Sequence, residues 1–237
     1  MPDAATIHLK PAAELAERVL LPGDPHRALA VAQALLERPR MFNHHRGLWG
    51  YTGRASDGEL LSVQSTGMGG PSAAIVIEEL VELGARTLVR IGTCGALDDS
   101  LSLGELLAVE RALAGDGASV ALGARGEVAP DRSLTEALRA ACGGRSVTAV
   151  SSDLFYDRRE GLADGWRRRG ASVVEMEAAT LFQAALVLGV RGGCLLAVTD
   201  LVGDGRRRVG EEQLTKLGLR LGEVAVEALG RTSAKAR

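Results

Sequence analysis

Short apolar runs that end in glycine, proline or a polar residue alternate along this chain with longer helical patterns. Val19-Leu20-Leu21 closes on Pro22-Gly23, and residues 87–91 end at Gly92-Thr93-Cys94-Gly95. Residues 193–198 end at Thr199-Asp200. Further strands are expected over 48–54, 60–66 and 106–110, the first two joined by the turn Ser56-Asp57-Gly58. Helices are expected over 25–36, with Asp24 as cap and Pro25 in first place, and over 73–83, 134–141, 178–188 and 211–229. Such alternation predicts an α/β protein: a single domain over 1–237 with a mixed, largely parallel β-sheet flanked by helices in three layers. In such sheets ligands gather at the carboxyl ends of the strands.

Composition agrees. Aliphatic residues must make the core, because aromatics are only 3% of the 237 residues. The formal net charge of -2 gives no support to a nucleic-acid surface. The clusters at Arg158-Arg159, Arg167-Arg168-Arg169 and Arg206-Arg207-Arg208 read as local solvated faces. Cys94, Cys142 and Cys194 fit no zinc spacing, so no metal is expected, and Cys94 reads as a packing residue. No signal-like start and no run near the roughly 18 apolar residues of a membrane span is seen. A cytoplasmic protein with no membrane partner is therefore expected.

Five stretches carry possible chemistry. In Val174-Glu175-Met176-Glu177-Ala178-Ala179, two carboxylates flank a methionine where a strand becomes a helix. Positions i and i+2 of an extended segment point the same way. Two such carboxylates suit a sugar diol, whose hydroxyls donate. Gly23-Asp24-Pro25-His26-Arg27 puts a helix start beside an arginine, a pairing suited to an anion, although an ordinary capped helix has the same look. Gly67-Met68-Gly69-Gly70-Pro71-Ser72 is a glycine-rich turn without the lysine of a P-loop or the spacing of a dinucleotide fingerprint. Arg90 sits inside the apolar strand Leu88-Val89-Arg90-Ile91, with Thr93 just beyond. A buried arginine needs an anionic ligand or an internal carboxylate, and the ligand is the preferred reading. Asp200 follows Val198-Thr199 at a strand end, where an acid can keep a proton to donate.

The ordered set Gly23-Asp24-Pro25-x-Arg27, Arg46-Gly47, Gly67-Met68-Gly69, Arg90-x-Gly92-Thr93-x-Gly95, Ser152-Asp153-x-Phe155-Tyr156 and Glu175-Met176-Glu177 resembles the nucleoside phosphorylases. That family holds the hexameric bacterial purine nucleoside phosphorylases and the uridine phosphorylases. The resemblance runs from His8 to the C-terminal helix.

What the resemblance implies is a reaction: phosphate attacks C1′ of a nucleoside, releasing the base and leaving a pentose 1-phosphate, a step of purine salvage. Inorganic phosphate is the co-substrate and no cofactor is implied. Gly23, Arg27, Arg90 and Thr93 would bind phosphate, joined by Arg46 of a neighbouring subunit. Glu177 would hold the ribose hydroxyls, with Met176, Glu175, Val174, Thr199 and Met68 around the nucleoside. His8 would reach a neighbour's 5′-hydroxyl, and Phe155 would stack on the base. Asp200 would be the general acid at purine N7. A homohexamer built from dimers is the implied assembly.

A purine is the expected base, because the Gln-Glu-Arg segment with which uridine phosphorylases read uracil is replaced by Asp157-Arg158-Arg159-Glu160-Gly161. A uridine phosphorylase with an atypical base pocket, or a nucleosidase that uses water, are the alternatives. One departure stands out. Leu214 occupies the place of the arginine that assists the acid in the purine enzymes, and Gly203-Asp204-Gly205 differs from the usual loop. Arg206, Arg207 and Arg208 are the candidate substitutes.

Overall fold

The computed structural model describes residues 6–202 and 207–234. Its strands are β1 (Arg18–Leu21), β2 (Glu37–Asn43), β3 (Gly50–Arg54), β4 (Leu60–Gln64), β5 (Thr87–Ala96), β6 (Leu106–Gly115), β7 (Glu127–Val128), β8 (Ser146–Ser152), β9 (Val173–Glu175), β10 (Arg191–Leu201) and β11 (Arg207–Arg208). Its helices are α1 (Pro25–Leu35), α2 (Gly70–Glu82), α3 (Gly117–Ala121), α4 (Arg132–Ala141), α5 (Leu162–Arg168), α6 (Ala178–Leu188) and α7 (Glu211–Ala234).

The sheet is mixed, and its two longest pairings, β5 with β10 and β6 with β8, are parallel. β1 lies parallel between β4 and β5, and β3 and β2 continue this wing antiparallel. Strand pairing also closes on itself. β5 pairs with β10, β10 with β6, β6 with β8, β8 with β9, and β9 returns to β5. This closed circuit goes beyond the layered sheet expected from the alternation. It depends on β9, only three residues long, whose Val174 lies opposite Gly95 on one side and Val150 on the other.

Both faces of the central strands are buried, which is why they read as continuous apolar runs. Successive side chains go to opposite faces. Val19, Leu21 and Leu88 pack with Val76, Ile77 and Leu80 of α2 and Leu181 and Phe182 of α6. Leu20, Val89 and Ile91 pack with Val31 of α1, Leu134 and Leu138 of α4, and Leu221 and Val224 of α7. The helices thus form two outer layers. α6 starts where it was expected and ends on Gly189 in the left-handed region. Asp24 caps α1 by accepting from the His26 N–H at 2.9 Å.

Several strands run further than the sequence suggested. β5 continues through Gly92-Thr93-Cys94-Gly95 to Ala96, and β10 through Thr199-Asp200 to Leu201. The two strands support one another over this extension, with Asp200 opposite Gly95 after a register shift. The segments expected to be loops therefore have strand rigidity.

Candidate active site

The carboxyl ends of β1, β4, β5, β9 and β10 converge, and with them the singled-out residues. Thr66 N–H donates to Pro22 O at 2.9 Å and Gly67 N–H to Gly23 O at 3.0 Å, so the two glycine turns run side by side. A Cβ on Gly23 would lie 3.0 Å from Gly67 O, so a side chain there would press on the neighbouring backbone.

Arg90 is the hub of the cluster. Its Nε donates to Glu175 Oε2 at 3.0 Å, and its NH2 lies 2.5 Å from Glu177 Oε2. The guanidinium folds back over Gly92, where an added Cβ would come within 2.7 Å of Arg90 Cζ. Of the two readings of this arginine, the internal carboxylates are what the structure shows. Burial works against its charge, but Glu177 and Glu175 outweigh burial and raise its pKa, so Arg90 stays cationic.

The two glutamates differ in their surroundings. The Glu175 side chain has no exposed surface. It accepts from Ser151 Oγ at 2.5 Å, Glu177 N–H at 2.9 Å and Ala178 N–H at 3.0 Å, besides Arg90. It therefore caps the start of α6 and anchors Arg90. Glu177 Oε1 accepts from Gly69 N–H at 2.5 Å, tying α6 to the Gly67-Met68-Gly69 turn. Burial raises the Glu177 pKa, Arg90 opposes the rise, and the Glu175 charge adds to it. Of the two, Glu177 has the room to accept from a further donor. The i, i+2 expectation holds in that both carboxylates converge on one guanidinium, although Glu177 has left the strand, at φ -140° and ψ -14°.

Arg27 approaches from α1, and among the described residues its one hydrogen bond is a long one, NH1 to Ile91 O at 3.5 Å. Burial and then the Arg90 charge lower its pKa. Gly218 of α7 makes its channel, since a Cβ there would meet the Arg27 side chain at 3.2 Å. Thr93 is half-buried on the same strand as Arg90.

The second half of the site surrounds Asp200. Its Oδ1 lies 2.8 Å from Nε of Arg208 in β11, which pairs with β10 at this point. Thr199 Oγ1 lies 3.2 Å from Asp200 Oδ2 and donates to Cys94 O at 3.4 Å. Arg208 Cζ also stands 5.9 Å from the centre of the Phe155 ring, within cation–π range. Phe155 is 47% exposed and meets Tyr156 edge-to-face at 5.0 Å. Of the candidate arginines, Arg208 therefore reaches the acid, Arg207 lies beside it in β11, and Arg206 and the segment Gly203-Asp204-Gly205 lie outside the described residues.

A family profile described as "Phosphorylase superfamily" matches residues 17–229. The chain belongs to the phosphorylase superfamily. Among superfamily members similar to it is a protein of Geobacillus kaustophilus (strain HTA426) named purine nucleoside phosphorylase DeoD-type, 35% identical over 230 residues, covering 93% of this chain and 96% of the relative. A protein of the same name from Jannaschia sp. (strain CCS1) is 36% identical over 204 residues, 82% of this chain and 87% of its own. One from Clostridium novyi (strain NT) is 33% identical over 222 residues, 90% and 94% respectively.

Not every residue singled out for this superfamily site joins the cluster. No contact among the described residues links His8 or Arg46 to Arg27, Arg90 or Glu177. The His8 ring Nδ1 lies 2.7 Å from Glu79 Oε1 of α2. Arg46 is exposed in a short turn at φ 57°, a left-handed conformation costly for a residue with a Cβ. Asn43 holds that turn, its Nδ2 donating to Leu48 O at 2.5 Å. Met68 is 86% exposed, whereas Met176 and Val174 are half-buried.

Four residues were missed: Ser151 under Glu175, Glu79 under His8, Gly218 beside Arg27, and Asp116. Asp116 accepts from Thr180 Oγ1 at 2.6 Å and so ties α3 to α6. Ser151 carries the same mark as Asp200, a polar residue ending an apolar strand, and was open to the same argument. A surface depression of ≈ 310 Å³ is lined by Glu37, Arg38, Arg40 and Leu60 among others. It lies at the other end of β4 and includes none of the site residues. No group of three or more His, Cys, Asp or Glu side chains poised for a metal occurs among the described residues.

Proposed function

We propose that this chain cleaves purine ribo- and deoxyribonucleosides by phosphorolysis, giving free base and the pentose 1-phosphate. The observation that carries the reading is a pair of half-sites on the neighbouring strands β5 and β10, which carry Arg90 and Asp200. Arg27, Arg90 and Glu177 form a cation-and-carboxylate cluster, and Asp200 pairs with Arg208, whose guanidinium stands over the exposed Phe155 ring.

Cleavage at C1′ passes through an oxocarbenium-like state, with positive charge on the sugar and negative charge on the departing base. Each half-site answers one of these. Arg27, Arg90, Thr93 and the backbone at Gly23 hold phosphate on one face of the sugar. Glu177 accepts from the ribose hydroxyls and orients the ring, with Met176 and Met68 as its apolar wall. Phe155 stacks on the base, beside Val174 and Thr199. Asp200 gives its proton to N7 as the C1′–N9 bond breaks, and the electron pair of that bond stays on the purine. Phosphate oxygen takes the vacated position at C1′. Arg208 steadies the carboxylate that Asp200 becomes. The chemistry needs phosphate as co-substrate and asks for no metal.

Glu175 enters this scheme as the support of Arg90 rather than as a sugar ligand, since its oxygens already accept from Ser151, Glu177, Ala178 and Arg90. His8 and Arg46, which stand outside the cluster, act across a subunit boundary. The assembly that fits them is a homohexamer of dimers working in the cytoplasm.

Incubating the protein with phosphate and either inosine, adenosine or uridine tests the base assignment. Appearance of ribose 1-phosphate in the phosphorus NMR spectrum with the purines, and its absence with uridine, is the expected result. Uridine as the sole substrate would move the assignment to the uridine phosphorylases.

A further inference from the structure

Arg90 touches, on one guanidinium, the anion side and the sugar side of the proposed site. We infer that the Arg90–Glu177 pair couples these two subsites, so that each substrate tightens the binding of the other. The inference rests on the phosphorolysis reading for the identity of the two ligands.

The geometry separates a fixed from an exchangeable partner. Glu175 is fully enclosed and accepts from Ser151, Glu177 and Ala178 as well as from Arg90 Nε, so it cannot turn to another donor. Arg90 is rooted within β5 and its Nε donates to the enclosed Glu175, which holds the guanidinium at the site. Glu177 is different. Among the described residues its side chain has two polar partners, Gly69 N–H and Arg90 NH2; it keeps 7% of its surface exposed and sits at the start of α6.

Arg90 and Glu177 satisfy one another in the structure. An anion and Glu177 then compete for the same positive charge, while sugar hydroxyls and Arg90 compete for the same carboxylate. Hydroxyl donors that take up lone pairs of Glu177 weaken its hold on Arg90 and release positive potential to the anion. An anion on Arg90 frees Glu177 for the sugar in the same way. Linkage makes the two effects equal in size.

Sulfate tests this, because it is a tetrahedral dianion that leaves the nucleoside intact. Its Kd is measured by calorimetry with and without saturating adenosine. The wild-type protein is expected to bind sulfate about fivefold more tightly with adenosine present, at the lower end of usual site-to-site coupling. In Glu177→Gln, sulfate alone is expected to bind more tightly than in wild type, and adenosine should no longer change its Kd. An unchanged sulfate Kd in wild type, in a protein that cleaves adenosine with phosphate, overturns the coupling and leaves the proposed activity standing. Weaker sulfate binding in a folded Glu177→Gln also overturns it, because Glu177 would then position Arg90 instead of competing for it. If adenosine is not cleaved with phosphate and neither ligand binds, the underlying reading falls, and the coupling with it.

Discussion

Arg208 Nε lies 2.8 Å from Asp200 Oδ1, across the two-residue pairing of β11 with the end of β10. An arginine facing the acid among the described residues therefore comes from a strand ahead of α7, while Leu214, at the position that the family resemblance gives to that arginine, lies within α7. If Asp200 protonates the base, Asp200→Ala should lower kcat by about 10²–10⁴-fold, the usual worth of a positioned acid. Arg208→Ala should lower it by less. The double variant should be no slower than Asp200→Ala, because Arg208 acts through the carboxylate. Losses that multiply in the double variant would show that Arg208 works independently of the acid.

Gly92 gives a sharper test of Arg90. A methyl group there would fall 2.7 Å from the Arg90 guanidinium carbon, and the guanidinium must move. Gly92→Ala should raise the phosphate KM by about tenfold, equivalent to about 1.4 kcal/mol. The nucleoside KM should change less. Equal effects on both would place the damage in the fold rather than in the phosphate subsite.

Removing the hub itself should cost stability as well as activity. Arg90→Met leaves Glu175 and Glu177 buried without their cation. Breaking a buried pair in this way typically costs about 3–5 kcal/mol. A fall of that order is expected in urea denaturation, and adding Glu175→Gln to Arg90→Met should recover part of it. An unchanged midpoint for Arg90→Met would mean the carboxylates shed their charge at little expense.

The N-terminal segment carries a pH signature. Burial alone would raise the Glu79 pKa, but backbone N–H groups of Leu9 and His8 and the His8 ring outweigh it and lower the value below its ordinary 4.5. A carboxyl group with a depressed folded pKa stabilises the fold above its unfolded pKa, and that contribution is lost as the pH falls through the folded value. Thermal stability should therefore drop on acidification below 4.5, and Glu79→Gln should flatten this part of the Tm–pH curve. A variant with the wild-type acid slope would assign the acid sensitivity to other carboxylates.

Much of the fold was legible because local pattern and tertiary role agree. α6 is apolar but for Thr180 and Gln183, bounded by the Glu175-Met176-Glu177 stretch and by Gly189, and its residues 178–185 are buried as that composition requires, while Leu186 and Val187 of its last turn are exposed. β2 was missed because Glu37–Asn43 carries Pro39 and four exposed residues, as suits the end of a sheet order. The closure through β9 was illegible for another reason. Three residues cannot announce a pairing partner, and both neighbours of β9 are far away in sequence. In the site, the strand-end rule located Arg90, Glu175, Glu177 and Asp200 together. It could not reveal that Glu175 is spent on Ser151, Arg90 and the start of α6, because that depends on contacts between β5, β8 and β9.

The central claim is phosphate-dependent release of a purine. Free base released from inosine, adenosine, guanosine and uridine should be measured with and without phosphate. Purine release that requires phosphate, with uridine untouched, is the predicted result. Purine release at the same rate without phosphate would contradict the account, because Arg27 and Arg90 would then have no anion to hold and water would be the nucleophile.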